Sequence, residues 1–367
     1  MKKLLLPLIM LLWLNQLNAE ESTKNNDFKF SIKSYLHYVA HNQDGEIKDN
    51  RFEISRAYFT IEKNMNDFLG FRMTFDCYDD DDGVENRLKY AYAKFKLPDY
   101  FIFTKPKIEF GIAHTPWLDF EEHINTTRMI GKMFVEKNKT FNSADLGGTF
   151  FTLIGGEIDK EYQETVSHAY PGRYGSLAFG VYNGGGYHDL ESNFNKVFQL
   201  RATARPLPDI IPGLQFSYLM VRGEGDHNED YELNPMYEVN IAMLSYECQY
   251  LTATAQYLDG RGNNVGTKVD DKGFAQPYDG YSFHTEIRLT EKWKLIGQYD
   301  KFNNEVNTES EKPALDYAGE RIVGGVGYDF GGHNILMVDA EHVMPERDGS
   351  KHKDETIFKL TMQVNLK

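Results

Sequence analysis

The sequence has no long apolar run after its first 20 residues. None of the later segments approaches the roughly 20 consecutive apolar residues that a membrane-spanning helix requires, and the mean hydropathy is −0.54. These two properties argue against a helical membrane protein. They leave a membrane barrel open, because only every second residue of a barrel strand faces lipid.

Cysteine is also scarce, with only Cys77 and Cys248 in 367 residues. In the barrel topology predicted below, the two lie at opposite rims, roughly 25 Å apart across the apolar band. A disulfide needs Cα atoms within about 7 Å of each other. The sequence therefore predicts two free thiols.

Positive charge is in deficit, with 40 Lys and Arg against 55 Asp and Glu and a formal net charge of −15. No basic stripe is available to neutralise phosphates, which argues against nucleic acid as a partner. Acidic residues concentrate in Asp79–Asp82 and Glu224–Asp230. These segments are either solvated loops or oxygen ligands for divalent cations, and the sequence leaves both interpretations open.

Catalytic and metal-binding motifs are missing as well. The eleven histidines are scattered, and no His-Glu-x-x-His, Cys-x-x-Cys or Gly-x-Ser-x-Gly spacing occurs. We therefore predict no catalytic residues, no metal site and no cofactor. A barrel hydrolase remains an alternative, because its site would not be recognisable from spacing. It is the least favoured one.

The N-terminus has the features of a secretory signal. Lys2 and Lys3 precede the apolar segment Leu4–Leu14, and a cleavage site follows Ala19. We predict a signal peptide at residues 1–19 and a short periplasmic tail at residues 20–27.

The rest of the chain alternates apolar and polar residues in about sixteen short stretches. Stretches such as Tyr281–Thr290 and Phe198–Arg205 have one largely apolar face and one polar face, the period-two pattern of half-buried strands. The other predicted strands are Phe28–Val39, Phe52–Glu62, Leu69–Asp76, Leu88–Leu97, Lys107–Ala113, Thr149–Ile158, Gly175–Asn183, Leu214–Arg222, Tyr237–Tyr246, Tyr250–Leu258, Trp293–Phe302, Arg321–Phe330, Asn334–Val343 and Phe358–Leu366.

The gaps between these stretches are alternately short and long, as in outer-membrane barrels with short periplasmic turns and long external loops. The sequence therefore predicts an all-β fold, a transmembrane antiparallel β-barrel of sixteen strands over residues 28–367. Ala40–Arg51 and Cys77–Arg87 are predicted to be long loops. Asp159–Tyr174 is too long for the short turn expected there, so it is either an elaborated turn or a miscounted strand pair.

Sixteen strands enclose an aqueous channel, and charged residues on the polar faces are predicted to line it. Arg201 and Arg205, together with Arg56, Arg72 and Arg288, are expected to form a cationic strip. The channel-lining residues are predicted to be Arg56, Arg72, Lys94, Arg201, Arg205, Glu286, Arg288, Asp339 and Glu341.

The longest gap, residues 114–148, is predicted to fold into the lumen as a constriction loop, because loops of this length in compact proteins are usually functional or disordered. An ordinary surface loop with a short helix near Phe120–Ile130 is the alternative. The charged or aromatic residues expected to act in the constriction are Trp117, Asp119, Glu121, Glu122 and Arg128.

Three segments resemble outer-membrane porins of the phosphate-selective porin O and P family. They are Arg56–Lys63 with Phe71–Asp76, then Glu109–Trp117, and finally Tyr182–Tyr187 continuing through Arg205–Pro208. The resemblance implies an outer-membrane homotrimer, in contact with outer-membrane lipid, that passes small hydrophilic solutes or ions. It does not imply phosphate selectivity, because the predicted lumen is mixed in charge. A secreted, non-channel β-rich binding protein is the alternative.

Overall fold

The computed structural model describes residues 28–80, 83–187, 193–225, 234–270, 272–304, 319–345 and 353–366. The predicted signal peptide and periplasmic tail lie outside these ranges, as do residues 81, 82 and 226–230 of the two acidic segments. Among the described residues, no helix is long and apolar enough to cross a membrane.

Sixteen antiparallel strands form a closed barrel in which each strand pairs with its neighbours in the sequence and β1 pairs with β16. The strands are β1 (Lys29–Gln43), β2 (Glu46–Asn64), β3 (Leu69–Asp80), β4 (Gly83–Lys96), β5 (Phe103–His114), β6 (Ala144–Ile154), β7 (Gly175–Tyr182), β8 (Val197–Ala204), β9 (Gln215–Glu224), β10 (Met236–Glu247), β11 (Leu251–Arg261), β12 (Pro277–Arg288), β13 (Trp293–Asn304), β14 (Gly319–Asp329), β15 (Ile335–Pro345) and β16 (Glu355–Leu366).

Side chains alternate between the two faces of each strand, and on β8 and β12 the polar face points into the barrel. On β8, Gln199 and Thr203 are buried, whereas Phe198 is about half exposed on the outer wall. On β12, His284 is buried and Phe283 is exposed in the same way. The closed sheet confirms the sixteen-strand prediction.

In the β1–β2 and β3–β4 hairpins, the strands are longer than predicted and the loops that connect them are shorter. β1 continues to Gln43 and β2 begins at Glu46, so the predicted long loop at 40–51 is wrong. Asp44 and Gly45 both have positive φ, 55° and 82°, as a tight two-residue hairpin turn requires. The predicted loop at 77–87 is likewise replaced by strand on both sides of residues 81 and 82.

The connection from β6 to β7 is an elaborated turn, so the strand count does not change there. It contains a short helix, α3 (Lys160–Thr165), whose N-terminus is capped by Asp159. This connection and the other turns that follow even-numbered strands lie at one end of the barrel. We call it the turn end. The opposite end is called the loop end.

The connection from β5 to β6, residues 115–143, is called the internal loop. It contains α1 (Leu118–Ile124), a 3₁₀ turn (Arg128–Ile130) and α2 (Phe134–Lys137), and most of its side chains are buried. The two cysteines are free thiols, one on β3 and one in the turn after β10, as predicted.

Candidate functional site

The internal loop contacts strands on opposite sides of the barrel, so it crosses the lumen. Near its start, the Pro116 carbonyl accepts a hydrogen bond from Nε of Arg201 on β8, at 2.9 Å. Further along, the Met129 carbonyl lies 3.0 Å from Nε2 of His37 on β1. Both wall residues point inward and are buried.

Two wall carboxylates hold the loop through its own polar side chains. Thr126 Oγ1 donates to Glu286 Oε2 on β12 at 3.0 Å, and Lys137 forms an ion pair with Glu341 on β15. Both carboxylates are buried and are also paired with wall cations, so each joins the loop to a charged cluster of the wall. These cations are Arg288 and Lys294 for Glu286, and Arg321 and Lys359 for Glu341.

One half of the lumen is filled by an apolar core. Trp117 and Phe134 of the internal loop are fully buried there, with Phe134 packed edge-on against Phe302 of β13. The wall side of this core consists of Val197, Leu219, Val221, Tyr237, Val239, Ile241, Met243, Leu258, Tyr278 and Phe302. Strands β8 to β13 therefore present a dry surface to the loop over part of their length.

The other half of the lumen, between the internal loop and β2 to β5, is charged. On the loop, the Asp119 and Glu122 side chains are 28 % and 29 % exposed and so contact solvent inside the barrel. The wall cations on these strands are Arg56, Arg72, Arg87, Lys89, Lys94 and Lys107, and the wall acids are Glu62, Asp76 and Glu109. A charged wall of this kind is tolerated where its charges are paired with one another or contact water.

A β-bulge places Lys89 in this charged half. Thr74 pairs with Tyr90 and Phe75 with Leu88, so Lys89 is an extra residue on β4 and both Lys89 and Tyr90 point inward. The Lys89 ammonium lies 3.4 Å from the Tyr58 hydroxyl. Within the described part of the chain, it has no carboxylate at ion-pair distance.

The β6–β7 connection also reaches the internal loop, from the turn end. The Tyr170 hydroxyl donates to Asp119 Oδ2 at 2.5 Å. Burial alone would raise the pKa of Asp119, but His123, His114 and this hydroxyl outweigh it and hold that pKa well below its usual range. Asp119 therefore remains ionised and joins the two segments.

The nine predicted channel-lining residues fall into two groups. Arg56, Arg72 and Lys94 face the charged half, and Arg288 is part-exposed beside Glu286. The remaining five point inward but are buried and contact protein: Arg201, Arg205, Glu286, Asp339 and Glu341.

The predicted cationic strip does not form. Arg201 is fully buried, with its guanidinium 4.1 Å from the Phe120 ring, and Arg205 donates to the Gly172 carbonyl at 3.0 Å. The reason is that the internal loop and the β6–β7 connection fold onto β8 and cover this face.

The five predicted loop residues also divide. Asp119 and Glu122 face the charged half, whereas Trp117, Glu121 and Arg128 are buried and hold the loop together. Trp117 Nε1 donates to Glu121 Oε2 at 2.8 Å, and Arg128 pairs with Glu122 at 3.2 Å. Sequence reasoning did not single out Lys89 or Tyr170, because a bulge and a contact between distant segments leave no periodic signal.

Glu121 makes docking of the internal loop depend on pH. Burial raises its pKa to about 8, despite the hydrogen bond from Trp117. An undocked loop would release this proton above about pH 4.5, so the contribution of Glu121 to docking is fully present below that pH and is lost as the pH rises toward 8. In the Glu121→Gln variant, the side chain is neutral at every pH and still offers an acceptor to Trp117. We expect this variant to lose the pH dependence of docking that Glu121 causes.

Hydrogen exchange of residues 117–125 measures this effect. The ratio of wild-type to variant exchange at each pH cancels the intrinsic pH effect, and we expect the ratio to rise between pH 5 and 8. Glu122→Gln, at the neighbouring and more exposed position, controls for the loss of a carboxylate. A ratio that stays constant across this range would contradict the prediction.

Within the described ranges, no group of three or more His, Cys, Asp or Glu residues is placed to hold a metal ion. No protein-family model and no curated protein sequence matches this chain.

Solved outer-membrane proteins match the chain closely in fold. Salmonella typhi OmpF, solved in complex with daunomycin, has a TM-score of 0.64 at 12 % identity, covering 94 % of this chain and 100 % of its own. The chain has the porin fold. A loop L8 deletion mutant of Vibrio cholerae OmpT has a TM-score of 0.60 at 13 % identity, with coverage of 94 % and 100 %.

An anion-selective porin from Comamonas acidovorans has a TM-score of 0.57 at 10 % identity, covering 93 % of this chain and 100 % of its own. At such low identities, the likeness to these structures establishes the fold alone.

Proposed function

We propose that the protein is an outer-membrane channel for passive diffusion of small hydrophilic solutes or ions. The observation that carries this proposal is the asymmetry of the lumen. The internal loop seals one half with an apolar core and leaves the other half lined by charged side chains, some of them solvent-exposed. The apolar outer wall and the porin fold support it further.

The charged half acts on solutes through its field, and no residue performs chemistry. Wall cations such as Arg72 and Lys94 line the same cavity as Asp119 of the internal loop, and the charge of Glu122 acts on Lys89. Opposed charges of this kind order water and favour small polar solutes over apolar ones, as charged rings do in other pores. In this proposal the internal loop sets the width of the path.

Location and assembly belong to the same proposal. The outer wall exposes apolar side chains such as Phe198, Phe283 and Phe358, as lipid contact requires. The signal-like N-terminus supports export. An OmpT of Vibrio cholerae, solved in a trimer form, shares the fold with a TM-score of 0.59 at 12 % identity, and we propose that this chain forms a homotrimer.

Planar-bilayer recording of the purified, detergent-folded protein tests the proposal. We expect discrete conductance steps in KCl and a measurable reversal potential in a salt gradient. Heat-modifiable gel migration confirms that the barrel is folded. Folded protein that gives no conductance steps would overturn the proposed function.

A further inference from the structure

A cavity of about 400 Å³ lies on the turn-end side of the internal loop. It is bounded by β2 to β8, by Asp119 and His123 of the loop, and by Ala169–Pro171 of the β6–β7 connection. Its volume falls in the range of roughly 300–1,000 Å³ that is typical of small-molecule sites. It is therefore large enough to hold a solute as well as to pass one.

The lining of this cavity is divided by chemistry. Cations from β3 to β5 form one side, whereas Phe151 and Leu153 of β6 and Pro171 form an apolar side. In total, five cations face three carboxylates: Arg72, Lys94, Lys105, Lys107 and Arg201 against Glu62, Glu109 and Asp119. A cavity with one cationic side and one apolar side is complementary to an amphipathic anion.

Lys94 is the cation of this wall without a partner. Among the described residues, its ammonium has no ion pair or hydrogen bond, although it points into the barrel from β4. Gly70, its register partner on β3, lies beside the Lys94 side chain: a Cβ at Gly70 would lie 3.5 Å from Lys94 Cε, at ordinary van der Waals contact. The Lys94 ammonium therefore borders the cavity without a protein partner among the described residues.

The carboxylates of the cavity are already engaged. Glu62 pairs with Arg72 at 3.5 Å, and Glu109 accepts from Lys107 at 2.9 Å. Asp119 accepts from Tyr170. Because none of these carboxylates forms an ion pair with Lys94, an incoming anion could bind its ammonium directly.

Tyr170 and Arg201 close the inner end. The Tyr170 ring lies 5.0 Å from the Arg201 guanidinium, which is fully buried. Arg201 Nη2 has no hydrogen-bond partner within the described residues. A fully buried positive group therefore also borders this space and disfavours cations there.

We propose that this cavity binds small amphipathic carboxylates, with Lys94 holding the carboxylate and Phe151 and Leu153 contacting the apolar part. The proposal rests on the proposed channel function and adds a solute class to it. The site lies between the internal loop and the turn end, so a bound solute would occupy the path below the constriction.

Benzoate and its neutral analogue benzamide are suitable probes. Added on the turn-end side of channels in a planar bilayer, benzoate is expected to reduce the KCl current reversibly, and benzamide is not. Lys94→Met should raise the half-blocking benzoate concentration by about tenfold, the effect of losing one charge-assisted hydrogen bond. Lys96→Met, on the same strand but outside the cavity lining, is the matched control and should stay near wild type.

A second variant tests the apolar side. Leu153→Ala should weaken block by benzoate and leave block by acetate unchanged. Equal block by benzoate and benzamide, or an unchanged benzoate response in Lys94→Met, would overturn the proposed site.

The two proposals can fail separately. The KCl conductance of each variant, without probe, reports channel function by itself. If no current is seen, isothermal titration calorimetry of benzoate into detergent-folded wild type and Lys94→Met still measures binding to the cavity. No binding, or equal binding to the two proteins, would reject the proposed carboxylate site.

Discussion

Replacing residues 116–142 with Asn-Gly is expected to raise the single-channel conductance several-fold. The ends of the deletion are already joined, because Thr115 N donates to Ser143 O at 3.0 Å and His114 is the register partner of Ala144. A two-residue Asn-Gly turn can therefore close the hairpin without moving β5 or β6.

The physical reason is that this segment fills the lumen. Its removal replaces the apolar core with water and removes Asp119 and Glu122 from the charged half, so charge selectivity should fall as conductance rises. Wall residues such as Leu219 and Val239 become exposed to water, at a cost of about 1.5–3 kcal/mol each. Folding of the variant is therefore checked by heat-modifiable migration before recording.

A matched control shortens a hairpin outside the lumen. Replacing residues 42–48 with Asn-Gly between His41 and Asp49 removes the exposed tip of the β1–β2 hairpin and leaves the internal loop untouched. Its conductance should equal that of wild type. If the internal-loop deletion is folded and also conducts like wild type, the internal loop does not narrow the path.

Strand identity and facing were predictable because they depend on local alternation. Glu286 and Phe283 lie in one regular stretch, and period-two spacing alone puts them on opposite faces. The tight hairpin at Asp44-Gly45 was also predictable, because Asp-Gly between alternating stretches is a strong two-residue turn signal. The turn was missed because the whole gap at residues 40–51 was interpreted as one long loop.

The covering of the inward face was not predictable in the same way. Arg201 points inward as expected, but what covers it is Pro116, 85 residues earlier in the chain. Alternation says which side of the sheet a side chain occupies, and it carries no information on whether water or a folded loop fills that side. The same limit applies to Tyr170 and Asp119, which are 51 residues apart.

Lys89→Met is expected to shift the reversal potential toward cation preference. Lys89 is the extra residue of the β4 bulge, its ammonium lies 4.6 Å from the Tyr58 ring, and Glu122 of the internal loop is close enough for its charge to act on it. No carboxylate forms an ion pair with Lys89 in the described part of the chain, although Glu122 and Glu136 of the internal loop act on it through space. Its charge therefore contributes to the field that acts on passing ions.

The expected size follows from Coulomb's law. A unit charge about 5 Å from an ion in a water-like medium changes the energy of that ion by about 0.8 kcal/mol, or roughly fourfold in permeability ratio. The reversal potential in a KCl gradient measures this ratio directly. The shift should shrink as ionic strength rises, because salt in the water-filled path screens the field that Lys89 exerts on passing ions.

Two further variants separate charge from packing. Lys89→Arg keeps the charge and should keep the wild-type reversal potential, whereas a packing defect would appear in both variants. Lys48→Met removes the same charge from the exposed β1–β2 hairpin, where Lys48 pairs with Glu46, and should have no effect. If Lys89→Met matched Lys48→Met, the conducting path would have to avoid the charged half, and ions would then have to cross the apolar core between the internal loop and β8 to β13.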